Sequence, residues 1–133
     1  MIINISRILV VLVLLAVSLS PAAAGDTFPF GSTLMLDAAP MRGSKRIPMI
    51  EIAEDGAASI DLWCASATAK TIVTDDSITI APWNWFNVQC EPERAARDAE
   101  LLAALAGVTK WRRNGDVVEF LGAAPLRFRL MTN

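Results

Sequence analysis

Histidine is absent from this 133-residue sequence, which removes the commonest general base and the commonest metal ligand of proteins. The sequence also contains no phosphate-binding glycine loop and no G-x-S-x-G nucleophile turn. Asp75 and Asp76 can hold a cation only together with Asp61 or Glu51, and an acidic pair in a tight hairpin turn is more typical of a solvated turn. We therefore expect no enzyme activity, no catalytic residue, no cofactor and no metal site.

A surplus of basic charge is also missing. The chain has 12 Lys and Arg against 14 Asp and Glu, and its net charge of −2 becomes −3 if the first 24 residues, which carry only Arg7, are removed. Proteins that bind nucleic acid without sequence preference neutralise phosphates with an excess of Lys and Arg. We therefore expect no nucleic-acid partner.

The one long apolar run of the chain stands at its N-terminus. A basic residue, Arg7, precedes the apolar run of residues 8–17. A polar break, residues 18–21, and a small-residue triplet, residues 22–24, follow the run. This order is that of a secretory signal peptide. The run is too short for a membrane anchor, which needs about 20 apolar residues, and no cysteine near the cleavage point could carry a lipid anchor. We expect cleavage after Ala24 and a single mature domain, residues 25–133, in a periplasm or outside the cell.

The chain has two cysteines, Cys64 and Cys90. In an oxidising compartment their pairing is the default interpretation. A cross-link over a loop of this length stabilises a fold by about 3.5 kcal/mol on the chain-entropy model. Redox catalysis is the alternative, but the cysteines are far apart and lack the C-x-x-C spacing that lowers a thiol pKa. The spacing therefore favours a structural disulfide.

Apolar and polar residues alternate along much of the chain, which is typical of half-buried strands joined in hairpins. The alternation predicts strands over residues 32–37, 49–53, 58–63, 71–74 and 78–81. After Cys90 the apolar period changes to that of a helix, which begins at Pro92 and ends at Gly107. Its predicted apolar stripe has five members: Ala95, Ala99, Leu102, Leu105 and Ala106.

The C-terminal strands carry a hairpin signal, because Asn114-Gly115 is the preferred sequence of a type I′ turn. That turn predicts four cross-strand pairs: Arg113 with Asp116, Arg112 with Val117, Trp111 with Val118, and Lys110 with Glu119. It puts four side chains on the core face: Thr109, Trp111, Val118 and Phe120. If Phe128 of the last strand is to share that face, the connection through residues 122–125 must have an odd length or contain a bulge.

The order of these elements resembles the META domain family, also called HslJ-like. The resemblance lies in a Gly-Ser-Thr-Leu start at Gly31, two hairpins, a cysteine after the third strand, a second cysteine before an Ala/Leu-rich helix, and a closing three-stranded meander. The family commonly has Gly-Cys-Asn where this chain has Trp63-Cys64-Ala65, and often Met-Ala-Cys at the second cysteine, so the chain looks like a divergent member.

The resemblance implies an α+β fold that is mainly antiparallel β, with a small barrel-like sheet and one amphipathic helix packed on it. It also implies an envelope or secreted location, and links to stress tolerance or virulence. The family has no established reaction, so the resemblance supplies no catalytic residue.

An aromatic segment, Trp83-Asn84-Trp85-Phe86, is the first candidate binding feature. Alternation would place Trp83 and Trp85 on one face and Asn84 and Phe86 on the other. Exposed aromatic side chains suit ligand or protein binding. The alternative, which the pattern favours, is that both tryptophans cover the open end of a small barrel.

A row of outward basic residues is the second candidate. Arg112, Arg127 and Arg129, with Lys110 nearby, can form a basic stripe that meets an anionic polymer or an acidic partner. Glu119 lies between these residues and neutralises part of their charge, so a solvated face is the favoured interpretation.

These features predict a non-catalytic exported domain that binds an unknown envelope or secreted macromolecule or supports envelope stress tolerance. Two alternatives stay open: a secreted inhibitor of a hydrolase such as a lysozyme or protease, and a lipid-binding cracked barrel.

Overall fold

The computed structural model describes residues 27–86 and 89–132, which form eight strands and one helix. Their bounds are β1 Thr33–Leu36, β2 Met49–Ile52, β3 Ala57–Asp61, β4 Ser66–Val73, β5 Ile78–Phe86, α1 Pro92–Ala106, β6 Val108–Asn114, β7 Val117–Gly122 and β8 Leu126–Leu130. The predicted signal peptide lies outside the described residues. Within the described part of the chain, no helix is long and apolar enough to cross a membrane.

All the strands belong to one antiparallel sheet, in the order β5-β4-β3-β2-β1-β8-β7-β6. The sheet curls into a half-barrel, so its two ends approach each other. Ser77 forms a bridge with Lys110, and the backbone N–H of Trp111 donates to the carbonyl of Asp76 at 3.2 Å. The helix α1 packs on this sheet beside β5. The expected α+β fold is confirmed.

The core lies inside the curl, where alternate residues of each strand meet. Ile50 and Ile52 of β2 pair with Ile60 and Ala58 of β3, and all four are at most 5% exposed. Burying a side chain of the size of isoleucine contributes roughly 1.5–3 kcal/mol. The alternation in the sequence therefore identified the packed faces of these strands.

The strands β4 and β5 are longer than predicted, because the sequence pattern identified residues 71–74 and 78–81 only. The first half of β4 is rich in alanine, which is depleted in strands. Ala67 and Ala69 are nonetheless buried, and Ala67 lies against Leu102 of α1. Small side chains are suited to this site because the helix packs there.

The C-terminal hairpin has a different register from the predicted one. Its turn residues are Gly115 and Asp116, and the pairs are Asn114 with Val117, Arg113 with Val118, Arg112 with Glu119, Trp111 with Phe120 and Lys110 with Leu121. Gly115 has a φ of +60°, and no non-glycine residue in the described ranges has a positive φ. A type I′ turn would need positive φ at Asn114 as well, whereas glycine alone at the first central position is the type II′ pattern.

Three of the four predicted core residues of this region are buried: Trp111, Val118 and Phe120. The placement of Thr109 was wrong, because the register shifts between Val108 and Lys110, so that Val108 is buried and Thr109 is exposed. The predicted odd-length connection is confirmed. Three residues, 123–125, separate β7 from β8, and the ring centroids of Phe120 and Phe128 are 5.0 Å apart.

The buried face of α1 differs in part from the predicted stripe. It consists of Asp98, Leu101, Leu102 and Leu105. Ala99 and Ala106 are exposed. Leucine side chains bury far more apolar area than alanine, so the leucines rather than the alanines determine which face packs against the sheet.

Candidate binding surface

The aromatic segment lies on the surface of the molecule. It belongs to the second half of β5, which is at one end of the strand order. Trp83 is 66% exposed and Trp85 is 46% exposed. This exposure shows that neither tryptophan belongs to the buried core, and whether they cover the open end of the barrel stays an expectation. The side chain of Phe86, the third aromatic of the predicted segment, lies outside the described part.

A β-bulge separates the two tryptophans. Ala69 pairs with Pro82 and Thr68 pairs with Asn84, so Trp83 is an extra residue in β5. The predicted alternation, with both tryptophans on one face, is therefore wrong. Bulges re-aim side chains in this way. Trp83 lies with its ring 5.5 Å from Nζ of Lys70, and it also lines a small cavity of about 220 Å³ together with Trp85 and Leu102 of α1.

Trp83 lines an open cleft of about 590 Å³ on the outer side of β3, β4 and β5. We call this cleft the outer β5 surface, and its exposed members are Asp55, Ala57, Lys70, Ile72, Trp83 and Asn84. Ile72 is 69% exposed. Two large apolar side chains, Ile72 and Trp83, thus stand in solvent among one basic, one acidic and one amide group.

The predicted basic stripe is an alternation of charges. Nη2 of Arg112 lies 2.7 Å from a Glu119 carboxylate oxygen, and Glu119 also faces Arg127 at 4.0 Å. Asp37, which follows β1, lies 3.2 Å from Arg127 and 3.3 Å from Arg129. The structure brings the three arginines together as predicted, but each of them has an acidic partner. The favoured interpretation of a solvated face therefore fits the geometry better than an anion-binding stripe.

A second cleft, of about 520 Å³, runs along α1. Its walls include Leu36, Trp63, Leu101 and Leu126, and Arg97 stands at its rim. The guanidinium carbon of Arg97 lies 5.3 Å from the centre of the Trp63 ring. The cleft is mainly apolar, and its lining includes one basic and one acidic residue, Arg97 and Glu100.

The two cysteines tie α1 to the loop after β3. Cys64 and Cys90 lie at disulfide distance, with Cα atoms 6.0 Å apart. Beside them, the carboxylate of Asp98 accepts hydrogen bonds from the N–H groups of Cys64 and Ala65, at 3.1 and 2.8 Å. Asp98 is fully buried. Sequence reasoning missed this residue, although it stands one helical turn before Leu101 and Leu102 on the same face.

The carboxylates considered as cation ligands have other partners. Asp61 accepts from the Ser66 hydroxyl and faces Arg46 at 3.8 Å, and Glu51 accepts from the Thr33 hydroxyl. Asp75 and Asp76 are exposed in the turn before β5. In residues 27–86 and 89–132, the one cluster of potential ligands is Cys64, Cys90 and Asp98, whose sulfur atoms are paired with each other.

Comparisons with known proteins agree with the fold. The family model of the META domain matches residues 31–131 of this chain. A solved NMR structure is similar to it, with a TM-score of 0.58 and 14% sequence identity over 74% of this chain and 88% of that one. No curated protein matches the chain.

Proposed function

Because this chain belongs to the META domain family, we propose that it is a non-catalytic exported domain that binds another macromolecule through the exposed aromatic part of β5. The observation that carries the proposal is the exposure of Trp83 and Trp85, at 66% and 46%. Tryptophan is the residue type most enriched among the side chains that dominate binding energy at interfaces. Solvent exposure of two such rings within three residues is best explained by a partner that covers them.

Export is the second part of the proposal. It rests on the signal-peptide order of residues 1–24 and on the Cys64 and Cys90 pair, which is compatible with an oxidising compartment. A binding domain in the envelope would act by contact rather than by chemistry. Support of envelope integrity under stress is one consequence of such contacts, and we propose it as the biological role.

Affinity capture of the tagged protein from its own envelope fraction tests the proposal. We expect a stoichiometric partner with the unchanged protein, and its loss with Trp83→Ala/Trp85→Ala. Met131→Ala is a matched control, because Met131 is an apolar residue that is 44% exposed elsewhere on the surface. Capture that is equal for all three proteins, or absent from all three, would refute a binding function of the aromatic segment.

A lipid-binding domain is a second candidate, favoured by the cleft along α1. Its volume of about 520 Å³ lies in the range of small-molecule sites, roughly 300–1,000 Å³. An acyl chain can lie along the apolar walls with an acidic head near Arg97. This candidate predicts co-purifying acyl chains in native mass spectra of the protein, and a protein that carries none would exclude it.

A further inference from the structure

The outer β5 surface combines an aromatic side chain with polar groups that have few bonding partners within the fold. In the part of the chain that the structure describes, the ammonium of Lys70 and the amide of Asn84 form no hydrogen bond or ion pair, and Lys70 makes only its ring contact with Trp83. Asp55 accepts the N–H of Ala57 through Oδ1, which leaves Oδ2 free. An exposed indole thus lies beside one ammonium group, and an amide and a carboxylate line the same cleft.

The strand pairing around Trp83 has a cost in stability, which points to a functional reason for the position of this side chain. The hydroxyl of Thr68 is, within the described ranges, the one buried side-chain polar atom without a hydrogen-bond partner. It lies at the register shift that makes Trp83 the extra residue of β5. An unpaired buried hydroxyl lowers stability, and bulges are typical of sites where a side chain must be re-aimed. The bulge places the ring of Trp83 near Lys70 and leaves the Thr68 hydroxyl without a hydrogen-bond partner.

Strand addition is a poor way to occupy this surface, although β5 is at an end of the sheet. An added strand needs a regular ladder of N–H and C=O groups. Pro82 has no N–H, and the bulge at Trp83 interrupts the ladder next to it. A ligand here must therefore engage the side chains rather than the backbone.

The charges of the surface also restrict the ligand. Lys70 and Asp55 carry opposite charges, so a polymer of a single charge sign gains nothing from the pair. Nucleic acids stack on aromatic rings as well, but they need a basic groove to hold their phosphates. A polysaccharide, by contrast, offers an apolar ring face for stacking and many neutral hydroxyl groups, as pyranose rings with equatorial substituents do, which suits an indole beside an amide and groups of both charges.

We propose that the outer β5 surface binds a neutral polysaccharide, with one pyranose ring stacked on Trp83 and its hydroxyl groups bonded to Asn84, Asp55 and Lys70. This inference rests on the proposed binding function and names the class of its partner. The cleft of about 590 Å³ lies in the range of small-ligand sites, roughly 300–1,000 Å³. Trp83, which is 66% exposed, supplies the stacking face.

The test is a titration of the isotope-labelled protein, as recovered from cells, with tetramers of β-1,4-linked glucose and of β-1,4-linked N-acetylglucosamine, followed by NMR. Sedimentation with cellulose and chitin is the companion measurement. We expect shifts at the Trp83 indole and at the amides of Lys70 and Asn84. Trp83→Ala should weaken binding by about tenfold or more, since aromatic anchors dominate such contacts, whereas Trp83→Phe keeps a ring and should retain most of the affinity.

Met131→Ala is the matched control, because Met131 is an exposed apolar residue outside this cleft, and the affinity of this variant for the sugar should stay within about twofold of the unchanged protein. Each variant is first shown to keep its unfolding midpoint. The inference is overturned if none of the glycans binds, if the shifts lie away from Trp83, or if Trp83→Ala binds as well as the unchanged protein. If the envelope partner is lost with Trp83→Ala/Trp85→Ala while no glycan binds, the binding function stands and the polysaccharide assignment fails. If capture of the envelope partner is also unchanged by the substitutions, both the binding function and the polysaccharide assignment fail.

Discussion

At the scale of single residues, Asp98 is the one charged side chain that is buried in the described part of the chain. Its two carboxylate oxygens accept the consecutive N–H groups of Cys64 and Ala65. Arg46 binds the same loop from another side, donating to the carbonyls of Leu62 and Ala65 at 2.7 and 3.0 Å. Two remote charged residues therefore satisfy the backbone of the loop after β3, which has no strand partner of its own.

Asp98→Asn is expected to lower the free energy of unfolding by about 1–3 kcal/mol, the cost of leaving a buried donor unpaired. The substitution keeps the side-chain volume but turns one acceptor into an NH₂ group that faces a backbone N–H. Denaturant unfolding measures the change. Glu100→Gln is the control, because Glu100 is exposed on the same helix and its substitution should change the stability by less than about 0.5 kcal/mol. Equal stability of the two variants would contradict the role assigned to Asp98.

At the scale of the elements, the C-terminal hairpin shows how one glycine sets a register. The type II′ pattern has positive φ at Gly115 and leaves Asn114 in β6, paired with Val117. In the type I′ register suggested by Asn-Gly, Trp111 would pair with Val118 instead of Phe120, and every other pair would shift in the same way. Both registers keep Trp111, Val118 and Phe120 on one face, so hydrophobic alternation alone does not distinguish them.

Gly115→Ala should destabilise the protein by about 1–2 kcal/mol, the cost of a left-handed conformation for a residue with Cβ. No steric contact adds to this cost, since a Cβ at Gly115 meets nothing within 4 Å. Asn114→Ala should change the stability by less than about 0.5 kcal/mol, because Asn114 does not need positive φ. Thermal or denaturant unfolding of the two variants checks the difference. A larger loss for Asn114→Ala would indicate the type I′ register instead.

The disulfide links the loop after β3 to the start of α1, across 26 residues of chain. Cys64→Ala/Cys90→Ala is expected to lower the free energy of unfolding by about 3.5 kcal/mol on the chain-entropy model. The helix should remain docked, because its leucines and Asp98 still contact the sheet and the loop. Denaturant unfolding gives the loss, and far-ultraviolet circular dichroism reports the helix. Loss of the helix signal in the variant would show that the disulfide, rather than packing, holds α1.

The sequence predicted those elements whose physical causes are local, and it failed where the cause was remote. The β2–β3 hairpin follows from alternation and from Gly56, which has a φ of +88°. The bulge at Trp83 depends on how β5 meets β4, which no local pattern contains. The burial of Asp98 likewise depends on backbone N–H groups more than 30 residues away. The sequence therefore identified the aromatic segment as a candidate site but could not show that its two tryptophans diverge.

At the scale of the whole molecule, the residues just after the predicted signal peptide close one end of the half-barrel. The ring of Phe28 lies 5.0 Å from that of Trp111 and 6.4 Å from that of Phe120. Nη1 of Arg113 donates to the carbonyl of Thr27 at 3.0 Å. Chain removal that reached Phe28 would take away part of the core, so we expect the proposed cleavage to occur before Thr27.

We expect the exported protein to begin at Gly25. Cleavage after Ala24 fits the small-residue triplet of the signal peptide and leaves two residues ahead of Thr27. Intact-mass spectrometry of the protein from the extracytoplasmic fraction measures the N-terminus directly. An uncleaved chain in that fraction would contradict the predicted cleavage, and a chain that begins beyond Phe28 would contradict the packing argument.

The central claim is that the exposed aromatic part of β5 is the surface that meets a partner. Site-specific photo-crosslinking in the native host tests it most directly, with a photo-reactive phenylalanine analogue in place of Ile72, which is 69% exposed beside Trp83, or of Met131, which is 44% exposed. The account predicts a discrete adduct from position 72 and none from position 131. No adduct at position 72, or the same adducts at both positions, would contradict it.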